Sequence, residues 1–193
     1  MRTSKIERNT KETKINLSLN LDGNGVYNIN TKIGFFDHML ELFAHHSNFD
    51  LSISCDGDTQ VDCHHSVEDV GIVLGKAIQE ALGDKRGIKR YGTFIVPMDE
   101  ALAAVSLDIS GRPFLVFNAE SMEGKCGEFD MELVEEFFRA VSTYAGITLH
   151  VNLKYGENNH HKAEAIFKAF ARALKEAVIV EGDKIPSSKG VLE

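Results

Sequence analysis

The sequence predicts an α+β fold made of two copies of one β-β-β-α-β-α unit. Three observations predict it. The segments HHSVEDVGIVLGKAI, from His64, and HHKAEAIFKAFARAL, from His160, both read His-His-x-x-Glu and continue with apolar residues at helical spacing. Each is preceded by a helix-like run and then a short strand-like run. Three strand candidates lie upstream of each such pair.

In the first half the strands fall over 5–11, 15–21 and 26–31. Ile15, Leu17, Leu19 and Leu21 alternate with polar residues, as a half-buried strand requires. A helix over 35–44 follows, then a strand over 51–55, then the helix opened by His64 and His65, with Val70, Val73, Leu74, Ala77 and Ile78 on one face. In the second half the strands fall over 93–97, 101–107 and 114–118, with a helix over 131–145 and a strand over 147–153. The last helix starts at His160 and carries Ile166, Phe167, Phe170, Ala173 and Leu174 at the spacing of one face. The turn-like segment 83–90 divides the halves into 1–86 and 87–193. The 193 residues suffice for one compact unit, in which the apolar helix faces join the halves.

A net charge of -8 argues against a nucleic-acid partner, since phosphate backbones need a basic surface. Cys55, Cys63 and Cys126 are odd in number and form no C-x-x-C pair, which fits a reducing compartment. No apolar run approaches the roughly 20 residues of a membrane helix, and the start MRTSKIERNTKETK resembles no signal peptide. A cytoplasmic protein is the expectation.

Two matching His-His-x-x-Glu motifs point to divalent transition metals, because neutral imidazole and carboxylate are their ligands. On a helix, neighbouring residues point about 100° apart. His64 and His65 therefore serve different ions, with Glu68 between them in angle; His160, His161 and Glu164 do likewise. Each motif feeds two metal positions. Whether the halves meet within a chain or between chains stays open at this level. The preceding helices offer further ligands: His38 in FFDHML and, at the equivalent place in LVEEFF, Glu136, each about 25 residues before its His-His pair. Glu136 is equally read as a solvated helix residue. Cys63 reads as a small buried residue before the helix, and His45, His46 and His150 as incidental. Ser187 and Lys189 in PSSKG, with Arg90 and Arg112, have the chemistry to hold a phosphate, although a polar tail has the same composition.

FFDHML, DCHHSVEDVGI, SGRPF, HHKAEAIFKAFARAL and the terminal PSSKG, in this order, resemble imidazoleglycerol-phosphate dehydratases over nearly the whole chain. The resemblance implies helices packed between two four-stranded mixed sheets. It implies trimers assembled into a 24-subunit homo-oligomer, active sites at subunit interfaces and two Mn2+ ions per site. The substrate is a small phosphorylated imidazole, D-erythro-imidazole glycerol phosphate, dehydrated to imidazole acetol phosphate in histidine biosynthesis. Metal roles fall on His38, His64, His65, Glu68, His160, His161 and Glu164, and substrate contacts on Glu12, Arg90, Arg112, Ser187 and Lys189. Many members carry His where this chain has Glu136, and Asp where it has Cys63.

The chemistry explains the parts. The proton lost from carbon has no neighbouring carbonyl, so the substrate imidazole must accept the electrons. Metals on both ring nitrogens favour an imidazolate that expels the adjacent hydroxyl through a diazafulvene-like intermediate. Glu164, Glu12 and Glu68 are the candidate catalytic carboxylates, the first two for proton transfer. The rival readings are a dimetal hydrolase of a phosphorylated small molecule and a non-enzymatic metal-storage shell.

Overall fold

Alternation builds the first sheet. In β2 (Thr13–Asn20), Thr13, Ile15, Leu17 and Leu19 are buried while the residues between them turn outward. β2 pairs antiparallel with β1 (Thr3–Asn9) and with β4 (Asp50–Gly57), and β3 (Tyr27–Asn30) runs parallel to β4. A parallel pair needs a crossover, and α1 (Gly34–Ser47) supplies it. α2 (His64–Leu82) follows. The second half repeats the plan: β5 (Tyr91–Met98), β6 (Ala101–Asp108) and β7 (Phe114–Asn118), then α3 (Leu133–Ala145), β10 (Thr148–Tyr155) and α4 (Asn159–Ala177). The strand orders β1-β2-β4-β3 and β5-β6-β10-β7 are equivalent. The computed structural model describes residues 1–120 and 122–192.

The four helices lie between the two sheets. α2 packs on β1 and β2, and α4 on β5 and β6. Across the middle, α2 packs on α3 and α1 on α4, so each His-His helix meets the preceding helix of the other half. The close approach of α2 and α3 rests on Gly71 and Gly75. A Cβ on Gly71 would lie 2.9 Å from the Ala140 Cβ, and one on Gly75 2.9 Å from the Tyr144 Cβ. Between α1, α3 and α4 a cluster of phenylalanines fills the core, with Phe137 stacked on Phe167 and Phe43 on Phe170.

The buried faces of α1 and α3 run in one register. Phe36, Met39, Leu40, Phe43, Ala44 and Ser47 answer to Val134, Phe137, Phe138, Val141, Ser142 and Ala145. That register puts Glu136 where α1 carries His38. α1 runs past the helix-like stretch 35–44 through His45 and His46, which the sequence places at the helix end, and stops where Asn48 takes the left-handed conformation (φ 60°). The hairpin β8 (Lys125–Cys126) and β9 (Phe129–Asp130), before α3, has no counterpart in the sequence reading. Its strands are too short for a two-residue period to register. No helix among the described residues is long and apolar enough to cross a membrane.

Candidate active site

Each His-His pair opens a helix, and a side chain two residues upstream fixes that opening. The Asn158 side chain accepts from the backbone N–H of His160 and His161, and Asp62 accepts from that of His64. The paired rings are nearly perpendicular, at 79° for His64 and His65 and 82° for His160 and His161. They serve different surroundings, as the helix angle predicts.

His160 turns toward α1. Its Nε2 lies 2.9 Å from Glu164 Oε1, and His38 Nε2 lies 3.1 Å from the same oxygen. The ligand atoms of His38, His160 and Glu164 all fall within 4.8 Å of one another. Two imidazoles and a carboxylate in that space fit a divalent transition metal. Lys168, one turn beyond Glu164, donates to its other oxygen at 2.5 Å. Burial disfavours the Glu164 carboxylate, but the bonds from Lys168, His38 and His160 outweigh it and hold its pKa at about 2. The sequence reading missed Lys168; its place four residues after Glu164, on the same helix face, was the available signal.

His65 and His161 turn away from these partners. His65 Nδ1 lies 3.0 Å from Asp58 and His161 Nδ1 2.7 Å from Glu100. A carboxylate on Nδ1 fixes the tautomer and aims Nε2 outward, the usual support for a metal-binding imidazole. The hydrogen bonds to Asp58 and to Glu100 raise the pKa of His65 and of His161 respectively. Glu100 is itself pulled down to about 2, by the Asn158 backbone N–H and then by His161. Asp58 and Glu100 were not singled out from sequence, since a lone carboxylate on a turn carries no signature.

The other predicted residues divide. His64 Nε2 lies 3.8 Å from Glu68, and Glu12 lies 3.9 Å from His65 Nε2 with its side chain half exposed. Glu136 pairs with Arg139 on its own helix, 3.5 Å away. Cys63 is 7% exposed, its thiol 3.6 Å from the Glu128 carbonyl, in keeping with a small packing residue. His46 is half-buried at the end of α1, where burial and then His45 lower its pKa.

Arg90, Arg112, Ser187 and Lys189 line one cleft of about 600 Å³. Among the described residues, the Arg112 guanidinium and the Lys189 ammonium meet no carboxylate. Arg90 is engaged: it donates to both Asp108 oxygens and to the Pro186 carbonyl, tying the C-terminal segment to β6. It adopts a left-handed backbone (φ 74°). Its N–H bonds the Ala177 carbonyl at the far end of α4 from His160. With 19 residues, α4 is about 28 Å long, so the cleft and the histidine end lie well apart in one chain.

The family model for imidazoleglycerol-phosphate dehydratase matches residues 31–174. The chain is 59% identical to a Clostridium botulinum imidazoleglycerol-phosphate dehydratase, over 99% of this chain and 98% of that one. It is 58% identical to one from Azorhizobium caulinodans, over 100% and 99%. The crystal structure of the Staphylococcus aureus enzyme superimposes with a TM-score of 0.84 at 48% identity, covering 92% of this chain and 99% of that one. The Pyrococcus furiosus structure gives 0.85 at 36% identity, covering 97% and 100%. Motifs, duplicated fold and likeness agree: the chain belongs to the imidazoleglycerol-phosphate dehydratase family.

Proposed function

We propose that this chain dehydrates D-erythro-imidazole glycerol phosphate to imidazole acetol phosphate at composite sites, each built from more than one copy of the chain and holding two Mn2+ ions. The dehydratase activity and its place in histidine biosynthesis follow from the family. The composite site rests on one observation: the length of α4 between the anion cleft and the histidines. A substrate of one ring, three carbons and a phosphate is about 10 Å long. It does not bridge about 28 Å within one chain. A cleft from one copy must therefore meet the histidines of another. A homo-oligomer such as the 24-mer built from trimers satisfies this.

His38, His160 and Glu164 form one set of metal ligands. His64, Glu68 and Glu136 form the equivalent set, with Glu136 released from Arg139. His65 and His161, with Nε2 aimed outward, complete the sets of neighbouring copies. Two Mn2+ ions held by these residues would supply positive charge that favours the deprotonated substrate ring and so the loss of the adjacent hydroxyl.

The chain's own groups do the rest. Arg112, Ser187 and Lys189 grip the phosphate, and Arg90 holds their segment in place. The side-chain carboxylate of Glu12 accepts no hydrogen bond among the described residues and is available to move a proton at the substrate. Glu164 and Glu68 are the other candidates, and Lys168 keeps Glu164 ionised. Removal of the carbon-bound proton and loss of the neighbouring hydroxyl as water leave an enol, which becomes the ketone.

Two variants test the composite site. As pure assemblies, His160→Ala is inactive, and Lys189→Ala turns over little at substrate concentrations far below its raised KM, where the comparison is made. Co-assembled from mixed subunits, they regain dehydration of the substrate, since some sites draw both intact parts from different chains. No regained activity in mixed assemblies of proven composition overturns the reading.

A further inference from the structure

The two halves hold equivalent glutamates in different ways. β2 and β6 begin on the buried residues Thr13 and Ala101, and Glu12 and Glu100 immediately precede them. Glu100 is fixed by its own carboxylate, which accepts from the backbone N–H groups of Glu157 and Asn158 and from the His161 ring. Glu12 is held by its backbone instead: its N–H donates to the Thr10 hydroxyl, and its carbonyl accepts from the Asp58 N–H. Among the described residues its carboxylate accepts no hydrogen bond, and its ion-pair partner is His65 Nε2, 3.9 Å away.

Something must then hold the turn itself. Asp69, on α2 one residue after Glu68, is 6% exposed. One of its oxygens accepts two N–H bonds from Arg8 at 2.8 and 3.0 Å, and the other accepts the Thr13 hydroxyl at 2.5 Å. Arg8 lies near the end of β1 and Thr13 starts β2, so one carboxylate grips both strands that flank the turn. The second half lacks this grip: Ala165 stands at the place of Asp69 and Ala101 at that of Thr13.

We propose that Asp69 is a positioning residue, which through Arg8 and Thr13 fixes the turn that presents Glu12 toward His65. This rests on the reading of Glu12 as a proton-transfer group. Its carboxylate must be aimed without being tied up, because a carboxylate that accepts several hydrogen bonds loses basicity. Gripping the turn from α2, which also carries His64, His65 and Glu68, registers Glu12 against those side chains while leaving it free.

The test uses the metal-loaded assembly. Glu12→Gln is measured first, then Asp69→Asn, Thr13→Val and Thr13→Ser, alone and in the Glu12→Gln background. Asp69→Asn and Thr13→Val are expected to lower kcat by about 10–100-fold, the usual cost of losing such support, with KM and metal content little changed. Thr13→Ser, which keeps the hydroxyl, retains most activity. In the Glu12→Gln background the same changes cause little further loss, because their route of action is already gone. Full activity of Glu12→Gln removes the basis of the Glu12 reading and of the positioning role with it. An inactive Glu12→Gln beside fully active Asp69→Asn and Thr13→Val overturns the positioning role alone. So do additive losses in the double variants, which mark general damage. If Asp69→Asn does not fold, the Thr13→Val and Thr13→Ser pair decides, since Val matches Thr in shape.

Discussion

His38 Nε2 and Glu164 Oε1 lie 3.1 Å apart although 126 residues separate them in the chain. They join α1 of the first half to α4 of the second, so a metal held between them also ties the halves together. Chelation is expected to lower the unfolding temperature, and adding Mn2+ back to restore it. Free ion a hundredfold above Kd stabilises by about 2.7 kcal/mol. His38→Ala should lose both the bound ion and this response. A His38→Ala protein that binds metal at full stoichiometry and turns over normally removes His38 from the ligand set.

Asp58 and Glu100 act on His65 and His161 from behind. Replacing either with Ala should weaken metal binding by about 10–100-fold without unfolding the chain. Metal titration followed by calorimetry reads this directly. Unchanged affinity in both variants means that neither carboxylate supports a ligand.

Lys189 and Arg112 line the C-terminal cleft, and among the described residues no carboxylate neutralises them. A charge-assisted hydrogen bond is worth about 1.5–3 kcal/mol, so Lys189→Ala or Arg112→Ala should raise KM roughly 10–100-fold and change kcat much less. Steady-state kinetics with the phosphorylated substrate checks it, and an unchanged KM excludes the residue from the phosphate grip.

Gly71 and Gly75 allow α2 to lie against α3. An Ala at either place gains about 1 kcal/mol of helix propensity but forces a contact of 2.9 Å against the other helix. Overpacking of this kind costs about 1–3 kcal/mol, so a net loss of stability is expected, larger in the double variant. Urea unfolding measures it; a double variant more stable than the parent means that α2 and α3 relax apart freely.

Asp50 accepts from the backbone N–H groups of Asn24 and Val26 and from Asn20, and these bonds, Asn24 first, lower its pKa below 3.8. The folded value lies below the unfolded one. Its contribution is therefore complete above the unfolded pKa and fades as pH falls through the folded one. Asp50→Asn should narrow the stability gap to the parent between pH 7 and pH 3, both compared without metal. A gap independent of pH shows that the Asp50 charge adds nothing.

The sequence determined much of this, because the relevant physics is local. The two-residue alternation of Ile15, Leu17 and Leu19 and the helical spacing after each His-His pair marked the elements. The rotation of about 100° per helical residue already separated His64 from His65 and His160 from His161. The family resemblance, rather than spacing, grouped Arg90, Arg112, Ser187 and Lys189, which the fold brings into one cleft. Tertiary structure decided the partners. That α1 packs closely on α4 and α2 on α3, across the two halves, depends on how the faces fit, such as the gaps at Gly71 and Gly75. From that packing come the meeting of His38 with His160 and Glu164, the grip of Asp69 on Arg8 and Thr13, and the length of helix between the histidines and the cleft. These are contacts between residues far apart in the chain, and no periodicity or spacing encodes them.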